Sequence, residues 1–99
     1  MFNHASFRLD GQIALVTGAG AGIGRAIALT FAGAGAAVVV TDLHAETASA
    51  VAREITGSGG RATGLACDVT KEADLSGAVA AALRDFGGLT ILVVPRQHL

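Results

Sequence analysis

A glycine-rich turn between two apolar segments constrains this chain more than any other feature of its sequence. The segment before it, Gln12–Thr17, is short and rich in Ile and Val, which is typical of a buried strand. The segment after it, Gly22–Ala34, carries apolar residues at helical spacing and is followed by Gly35. The glycines follow the pattern Thr17-Gly18-x-x-x-Gly22-x-Gly24. The sequence therefore predicts a strand, a tight glycine turn and a helix in direct succession.

Strand and helix signals continue to alternate along the chain. The predicted strands are Gln12–Thr17, Ala37–Thr41, Arg61–Cys67 and Thr90–Val94, and the predicted helices are Gly22–Ala34, Ala45–Ile55 and a third that starts near Thr70 and ends at Gly87-Gly88. Apolar runs without polar alternation indicate parallel strands that are covered on both faces. The alternation predicts the fold class α/β. The strand order follows because crossovers are right-handed and the fourth strand is expected beside the first. The predicted fold is a Rossmann-type three-layer sandwich with an incomplete parallel sheet of strand order 3-2-1-4.

Helical spacing also predicts which side chains of the helices face the sheet. The expected inner residues are Ile23, Ile27, Phe31 and Ala34 in the first helix, Ala48, Ala52 and Ile55 in the second, and Leu75, Val79, Ala82 or Leu83, and Phe86 in the third. Thr70 is the expected N-cap of the third helix, with acids in the first turn, where they suit the helix dipole.

Each of the three patterned glycines has a distinct physical use. Gly18 can adopt the positive φ of a tight turn. Gly22 leaves no Cβ in the way of a pyrophosphate, and Gly24 lets the helix approach the strand closely. The helix N-terminus offers unpaired N–H groups and a partial positive charge to phosphates. This context predicts a dinucleotide site, with a purely structural turn as the alternative; a P-loop is excluded because no Gly-Lys-Ser/Thr sequence occurs.

Asp42, at the end of the second predicted strand, indicates which dinucleotide would bind. An acid in this position accepts hydrogen bonds from the adenosine ribose; the alternative is an N-cap for the helix Ala45–Ile55. A carboxylate would repel the 2′-phosphate of NADP by up to about 4 kcal/mol per charge pair. Leu43 rather than a basic residue follows Asp42, and no Arg or Lys stands in the turn before Gly22. We therefore expect NAD, with NADP less favoured.

Composition and charge exclude several other classes of protein. Seven basic and eight acidic residues give a net charge of −1, and the chain has no Trp or Tyr, which argues against a nucleic-acid partner. Its apolar stretches are shorter than the ~18 residues of a membrane span, and its start lacks the apolar region of a signal peptide. The single cysteine, Cys67, is expected to be buried at a strand end in a cytoplasmic protein. The histidines have no metal-ligand spacing with Cys67, so no metal site is expected.

From Leu9 to about Val93 the chain resembles the short-chain dehydrogenase/reductase family. The resemblance rests on Thr17-Gly18-x-x-x-Gly22-Ile23-Gly24, Asp42, Asp68-Val69 and Thr90-Ile91-Leu92-Val93. It implies an NAD(P)-dependent oxidoreductase of alcohols and ketones, with Ile23 along the cofactor and Asp68 and Val69 against the adenine; the alternative for Asp68 is a cap beside Thr70. Three segments are similar to the bacterial 7α-hydroxysteroid dehydrogenase branch, which implies a hydroxysteroid substrate: Met1-Phe2-Asn3, Arg8-Leu9-Asp10-Gly11 and Gly18-Ala19-Gly20-Ala21-Gly22-Ile23-Gly24. The predicted cofactor-binding residues are Gly18, Gly22, Ile23, Gly24, Asp42, Leu43, Asp68 and Val69.

The sequence departs from the family pattern after the fourth strand. The family continues Asn-Asn-Ala-Gly, whereas this chain reads Val94-Pro95 and ends at Leu99, and the catalytic Ser and Tyr-x-x-x-Lys of the family do not occur. We expect residues 1–99 to form an NAD(P)-binding Rossmann domain that is incomplete at the C-terminus, with no catalytic residues. Ile91–Val94 would be an exposed apolar edge suited to self-association. The alternatives are a non-catalytic NAD-binding or interaction module, a methyltransferase Rossmann domain and a fragment that does not fold stably.

Overall fold

A computed structural model describes residues 7–95 and shows strands and helices in strict alternation. The elements are β1 (Ile13–Val16), α1 (Gly22–Gly33), β2 (Ala37–Asp42), α2 (Ala45–Gly57), β3 (Arg61–Ala66), α3 (Glu72–Phe86) and β4 (Ile91–Val93). The predicted boundaries differ from these by a residue or two, so the sequence assignment of the elements is confirmed. The predicted domain, 1–99, and the resemblance at Met1-Phe2-Asn3 extend beyond the described residues.

The strands form one parallel sheet in the order β3-β2-β1-β4, which confirms the predicted topology. Central β1 pairs with β2 through Ile13↔Ala37 and with β4 through Leu15↔Leu92. Thr90 fixes the start of β4: its Oγ1 accepts a hydrogen bond from the Ile13 N–H at 2.8 Å, and its N–H donates to the Ile13 carbonyl at 2.9 Å. These bonds join residues that lie 77 positions apart in the chain.

The sheet is covered on both faces, which gives the predicted three layers. On one face Val16, Val38 and Val40 pack with residues of α1 and α2, namely Ala28, Ala48, Val51, Ala52 and Ile55. On the other face Leu15 and Val39 pack with Ala78 and Ala82 of α3. Because alternate residues of the same strand serve opposite faces, both sets must be apolar, and the strands read as unbroken apolar runs.

The inner face of α3 differs from the prediction. Val79 was expected to face the sheet but is 37% exposed. Of the two alternatives Ala82 and Leu83, Ala82 is buried and Leu83 is 56% exposed, and Ala78 and Ala81 are buried as well. Alanines bring the helix axis close to the sheet, so the longer side chains lie on its flanks. Leu75 and Phe86 do pack against the core from these flanks, as predicted.

Two predictions at helix starts are also wrong. Ile23 is exposed rather than inward, because it belongs to the first turn of α1, where Gly24 and not Ile23 is buried. The N-cap of α3 is Lys71, without a side-chain cap, rather than Thr70. The Thr70 hydroxyl donates instead to Asp68 Oδ1 at 2.7 Å, which engages it in the preceding turn.

Cys67 is buried, as expected, and is a free thiol. Burial raises the pKa of this thiol, and the nearby carboxylates of Asp74 and Asp68 raise it further. Over residues 7–95 there is no group of three or more His, Cys, Asp or Glu side chains that would hold a metal ion. None of the helices in that range is long and apolar enough to cross a membrane.

Candidate nucleotide-binding site

The carboxyl ends of the strands are held together by backbone hydrogen bonds that continue beyond the sheet itself. The Ala19 N–H donates to the Thr41 carbonyl at 2.8 Å, which ties the glycine turn to the end of β2. The Cys67 N–H donates to the Asp42 carbonyl at 2.7 Å and ties the segment after β3 to the same strand. In parallel α/β sheets, ligands bind at this edge.

The glycine turn has the backbone geometry that its sequence predicts. Gly18 and Gly22 have φ of +60° and +62°, where L side chains are strained. A Cβ on Gly22 would meet no atom within 4 Å, so the space above it is open. A Cβ on Gly24 would lie 2.2 Å from the Gly18 carbonyl oxygen, so α1 packs directly on the turn.

The N-terminus of α1 is uncapped by side chains. Its N-cap, Ala21, has no side chain that could accept a hydrogen bond, and the first turn contains no acidic residue. The first N–H groups of a helix have no partner within the helix. Together with the helix dipole and the open space above Gly22, they form a place for an anion rather than for a cation.

Asp42 lies half-buried where β2 ends, and its carboxylate faces the glycine turn. Its Oδ2 accepts a hydrogen bond from Thr47 Oγ1 at 2.5 Å. The same oxygen lies 2.6 Å from the position that a Cβ on Gly20 would take. The alternative role of Asp42 as the N-cap of α2 is wrong, because that position belongs to His44, which makes no side-chain cap hydrogen bond.

Asp68 braces the turn that follows β3. Its Oδ1 accepts hydrogen bonds from Thr70 Oγ1 at 2.7 Å and from the Thr70 N–H at 2.9 Å. These two bonds, the side-chain bond first, hold the pKa of the Asp68 carboxyl below its usual range. Its own N–H donates to Asp74 Oδ2 at 2.9 Å, which fixes the turn to α3.

A cleft of about 400 Å³ brings these groups together at the carboxyl edge. Its walls contain five of the eight residues that the sequence singled out, namely Gly18, Asp42, Leu43, Asp68 and Val69. The other three, Gly22, Ile23 and Gly24, do not line the cleft but form the first turn of α1, directly after the glycine turn. Ile23, Leu43 and Val69 are exposed apolar side chains, and Leu43 and Val69 lie on the walls of the cleft.

Sequence reasoning missed several residues of this site. Thr17, Cys67, Thr70, Val94 and Pro95 also line the cleft. Gly20 and Thr47 were missed because their role lies in contacts with Asp42, and no spacing rule connects a strand-end acid with a hydroxyl in the next helix. The only available signal for Gly20 was its place between two patterned glycines.

The chain belongs to the short-chain dehydrogenase family, whose family model, described as short chain dehydrogenase, matches residues 12–95. It is 50% identical over 93 residues to a 7alpha-hydroxysteroid dehydrogenase of Escherichia coli strain K12. It is 48% identical over 87 residues to a D-threitol dehydrogenase of Mycolicibacterium smegmatis. These matches cover 94% and 88% of this chain but only 36% and 34% of the relatives, so the chain spans about a third of their length.

Solved structures show the same likeness. A hydroxysteroid dehydrogenase from Escherichia coli superposes with a TM-score of 0.89 at 47% identity, over 97% of this chain and 41% of that one. A 7α-hydroxysteroid dehydrogenase complexed with NADH and 7-oxo glycochenodeoxycholic acid superposes with a TM-score of 0.81 at 50% identity, over 93% of this chain and 36% of that one. The Rossmann-type fold of this chain is therefore that of its family.

Proposed function

We propose that this chain is the cofactor-binding, N-terminal part of an NAD(P)-dependent short-chain oxidoreductase, and that it binds NAD by its adenosine and pyrophosphate. The observation that carries the proposal is the cleft that joins Gly18, Asp42 and Asp68 beside the uncapped start of α1. The NADH-bound relative, half of whose aligned residues are identical, supports the same cofactor class. The nicotinamide of such a cofactor supplies hydride transfer.

The proposal gives each group of residues a separate task. The first turn of α1, with Gly22, Ile23 and Gly24, would hold the pyrophosphate through its backbone N–H groups. Asp42 would accept hydrogen bonds from the adenosine ribose. Leu43, Asp68 and Val69 would surround the adenine, with the exposed Leu43 and Val69 side chains against its faces.

The charges of the cleft favour NAD over NADP in this proposal. Two carboxylates, Asp42 and Asp68, line it, and its described lining contains no Lys or Arg that would neutralise a 2′-phosphate. The repulsion, up to about 4 kcal/mol per charge pair at close range, exceeds what one neutral hydrogen bond contributes.

We further propose that residues 1–99 alone do not turn over a substrate. The sequence contains no Tyr, and the family's Tyr-x-x-x-Lys pair is therefore absent from it. An alcohol or ketone, with a hydroxysteroid first in view of the relatives, is the proposed substrate class of the whole enzyme, and the cytoplasm its compartment. Mixing the chain with NAD and a 7α-hydroxysteroid should give no rise in NADH absorbance; measurable turnover would contradict this part.

Isothermal titration with NAD and NADP tests the binding site. Gly22→Ala places a Cβ where the pyrophosphate would lie and should abolish measurable binding. Gly87→Ala is the matched control, because Gly87 also has positive φ (+86°) and open space around it but lies at the end of α3, outside the cleft. If both variants bind NAD as the parent chain does, or if the parent binds S-adenosylmethionine and not NAD, the proposal fails.

A charge variant tests the choice of cofactor separately. Asp42→Asn keeps the shape of the side chain and removes its charge, so it should weaken NAD about tenfold or more and strengthen NADP relative to NAD. A parent chain that binds NADP as tightly as NAD would refute the role of Asp42 and leave the site itself standing.

We also propose that the chain self-associates through β4. Among the described strands β4 pairs only with β1, and its other edge carries no partner. Leu92 and Val94 are 59% and 58% exposed at this edge, which makes it a template for pairing with a second copy.

Sedimentation over a range of concentrations tests this association. Leu92→Lys puts a charge on the edge and should give a monomer. Leu83→Lys charges an equally exposed apolar position on α3 and should leave the association unchanged. A parent chain that is monomeric at all concentrations, or two variants that behave alike, would contradict pairing through β4.

A further inference from the structure

We propose that Thr47 is a positioning residue for Asp42, and that the preference for NAD over NADP depends on its hydroxyl. The inference rests on the proposed function, because it concerns how the same site reads the adenosine ribose. Thr47 lies in the first turn of α2, outside the glycine turn and outside the residues that line the cleft.

The Thr47 hydroxyl has one proton and two acceptors within reach. Asp42 Oδ2 lies 2.5 Å from Oγ1, and the His44 carbonyl oxygen lies 3.0 Å from it. A hydroxyl donates more strongly to a charged carboxylate, and such bonds are characteristically short. The proton therefore goes to Asp42, and the contact with His44 holds the hydroxyl in place without directing it.

Gly20 leaves free the space in which the carboxylate meets the Thr47 hydroxyl. A Cβ at Gly20 would lie 2.6 Å from Asp42 Oδ2 and 2.7 Å from Thr47 Oγ1, so the three groups meet at one point. The carboxylate thus occupies space that only a glycine leaves free. We call this arrangement a clamp: the Thr47 hydroxyl holds the Asp42 carboxylate in one orientation, within the space that Gly20 leaves.

The clamp engages one carboxylate oxygen and leaves the other open. Within residues 7–95 the only side-chain hydrogen bond of Asp42 is the one that Oδ2 accepts from Thr47. Oδ1 therefore keeps its lone pairs for the ribose hydroxyls. A clamped side chain also cannot turn away from a 2′-phosphate without losing a charge-assisted bond, which makes the repulsion of NADP effective.

Three substitutions in α2 separate positioning from a merely structural role. Thr47→Val is nearly isosteric and removes the hydroxyl, whereas Thr47→Ser keeps it. Thr56→Val is the matched control. Thr56 lies near the other end of α2, and its hydroxyl donates to the Arg53 carbonyl at 3.2 Å, its one side-chain hydrogen bond within the part of the chain that the structure describes. Circular dichroism and urea unfolding establish that each variant is folded.

Titration with NAD and NADP gives the first readout. Thr47→Val should weaken NAD about three- to tenfold, the range of one net hydrogen bond, and should lower the ratio of the two dissociation constants. Thr47→Ser and Thr56→Val should match the parent chain. Equal constants for Thr47→Val and Thr56→Val would overturn the inference while the proposed function stands.

The rotamer of Asp42 in the free chain gives a second readout that needs no nucleotide. Three-bond NMR couplings to Asp42 Cγ should report a single χ1 in the parent chain and in Thr47→Ser, and averaged values in Thr47→Val. Averaged couplings in the parent chain would overturn the clamp. A parent with one rotamer that binds neither nucleotide would instead refute the proposed function and, with it, the role of the clamp in cofactor choice.

Discussion

The contact between α1 and the glycine turn makes a sharp prediction for Gly24→Ala. The new Cβ would lie 2.2 Å from the Gly18 carbonyl oxygen, 2.8 Å from its carbon and 3.1 Å from Ala19 Cα. All three are backbone atoms of a turn that is itself bonded to β2 through Ala19. No side chain can rotate away, so α1 or the turn must move by about 1 Å to reach an ordinary C···O separation of roughly 3.3 Å.

The expected magnitude follows from two opposing effects. Overfilling a packed interior costs about 1–3 kcal/mol, and more where backbone must shift. Replacing glycine by alanine inside a helix returns up to about 1 kcal/mol. Because all three neighbours are backbone atoms, the upper end of this cost applies, and Gly24→Ala should lower the free energy of unfolding by about 2 kcal/mol or more. Gly77→Ala, in the interior of α3 with no atom within 4 Å of its Cβ, should raise it by about 0.5–1 kcal/mol.

Urea unfolding followed by circular dichroism at 222 nm measures both changes. The two midpoints should move in opposite directions with unchanged slopes. Gly24→Ala should also weaken NAD, because it displaces the turn, whereas Gly77→Ala should not. A Gly24→Ala chain that is as stable as the parent, or stabilised like Gly77→Ala, would refute the close contact between helix and turn.

Two further predictions concern ionisable groups. Hydrogen bonds from Arg84 and then Thr63 lower the pKa of Asp85 to about 2, below its ordinary 3.8. The stability that this depressed pKa contributes is fully present above pH 3.8 and is lost as the pH falls towards 2. The melting temperature of Asp85→Asn should therefore fall less than that of the parent chain between pH 3.8 and pH 2. The same pH dependence in both chains would contradict the assignment. The Cys67 thiol, which is 4% exposed and whose pKa burial raises, should react with a disulfide reagent far more slowly in the folded chain than in urea; equal rates in the two conditions would contradict its burial.

The fold could be predicted from the sequence because the strand patterns and the helix-end residues agree with one another. Ala37–Thr41 and Thr90–Val94 are short runs rich in Val, Ile and Leu that predict strands, and Gly35 and Gly87-Gly88 mark helix ends. The inner face of α3 could not be predicted from the sequence. Its periodicity fits either the flank with Val79 and Leu83 or the stripe of alanines, and the distance between helix and sheet decides between them.

In the candidate site, too, some residues could be predicted from the sequence and others could not. Gly18, Gly22 and Gly24 were predictable because the turn imposes their conformations or contacts locally. The clamp of Gly20 and Thr47 on Asp42 was not predictable, because it forms only when the turn, the end of β2 and the start of α2 meet. Contacts of this kind, between residues of different elements, produce no pattern of spacing that a single sequence would reveal.

The pairing of Ile13 with Thr90 has a consequence for synthesis of the chain. β1 is one of the two inner strands of the sheet, yet its hydrogen bonds to the start of β4 join residues 77 positions apart. As the polypeptide emerges from the ribosome, β1, β2 and β3 can assemble with α1 and α2, but Leu15 still lacks its cover from α3 and one side of β1 lacks its partner. The nascent chain therefore passes through an interval in which the wholly apolar strand β1 is an open edge. When β4 pairs with β1, β1 becomes an inner strand and β4 becomes the new edge of the described sheet.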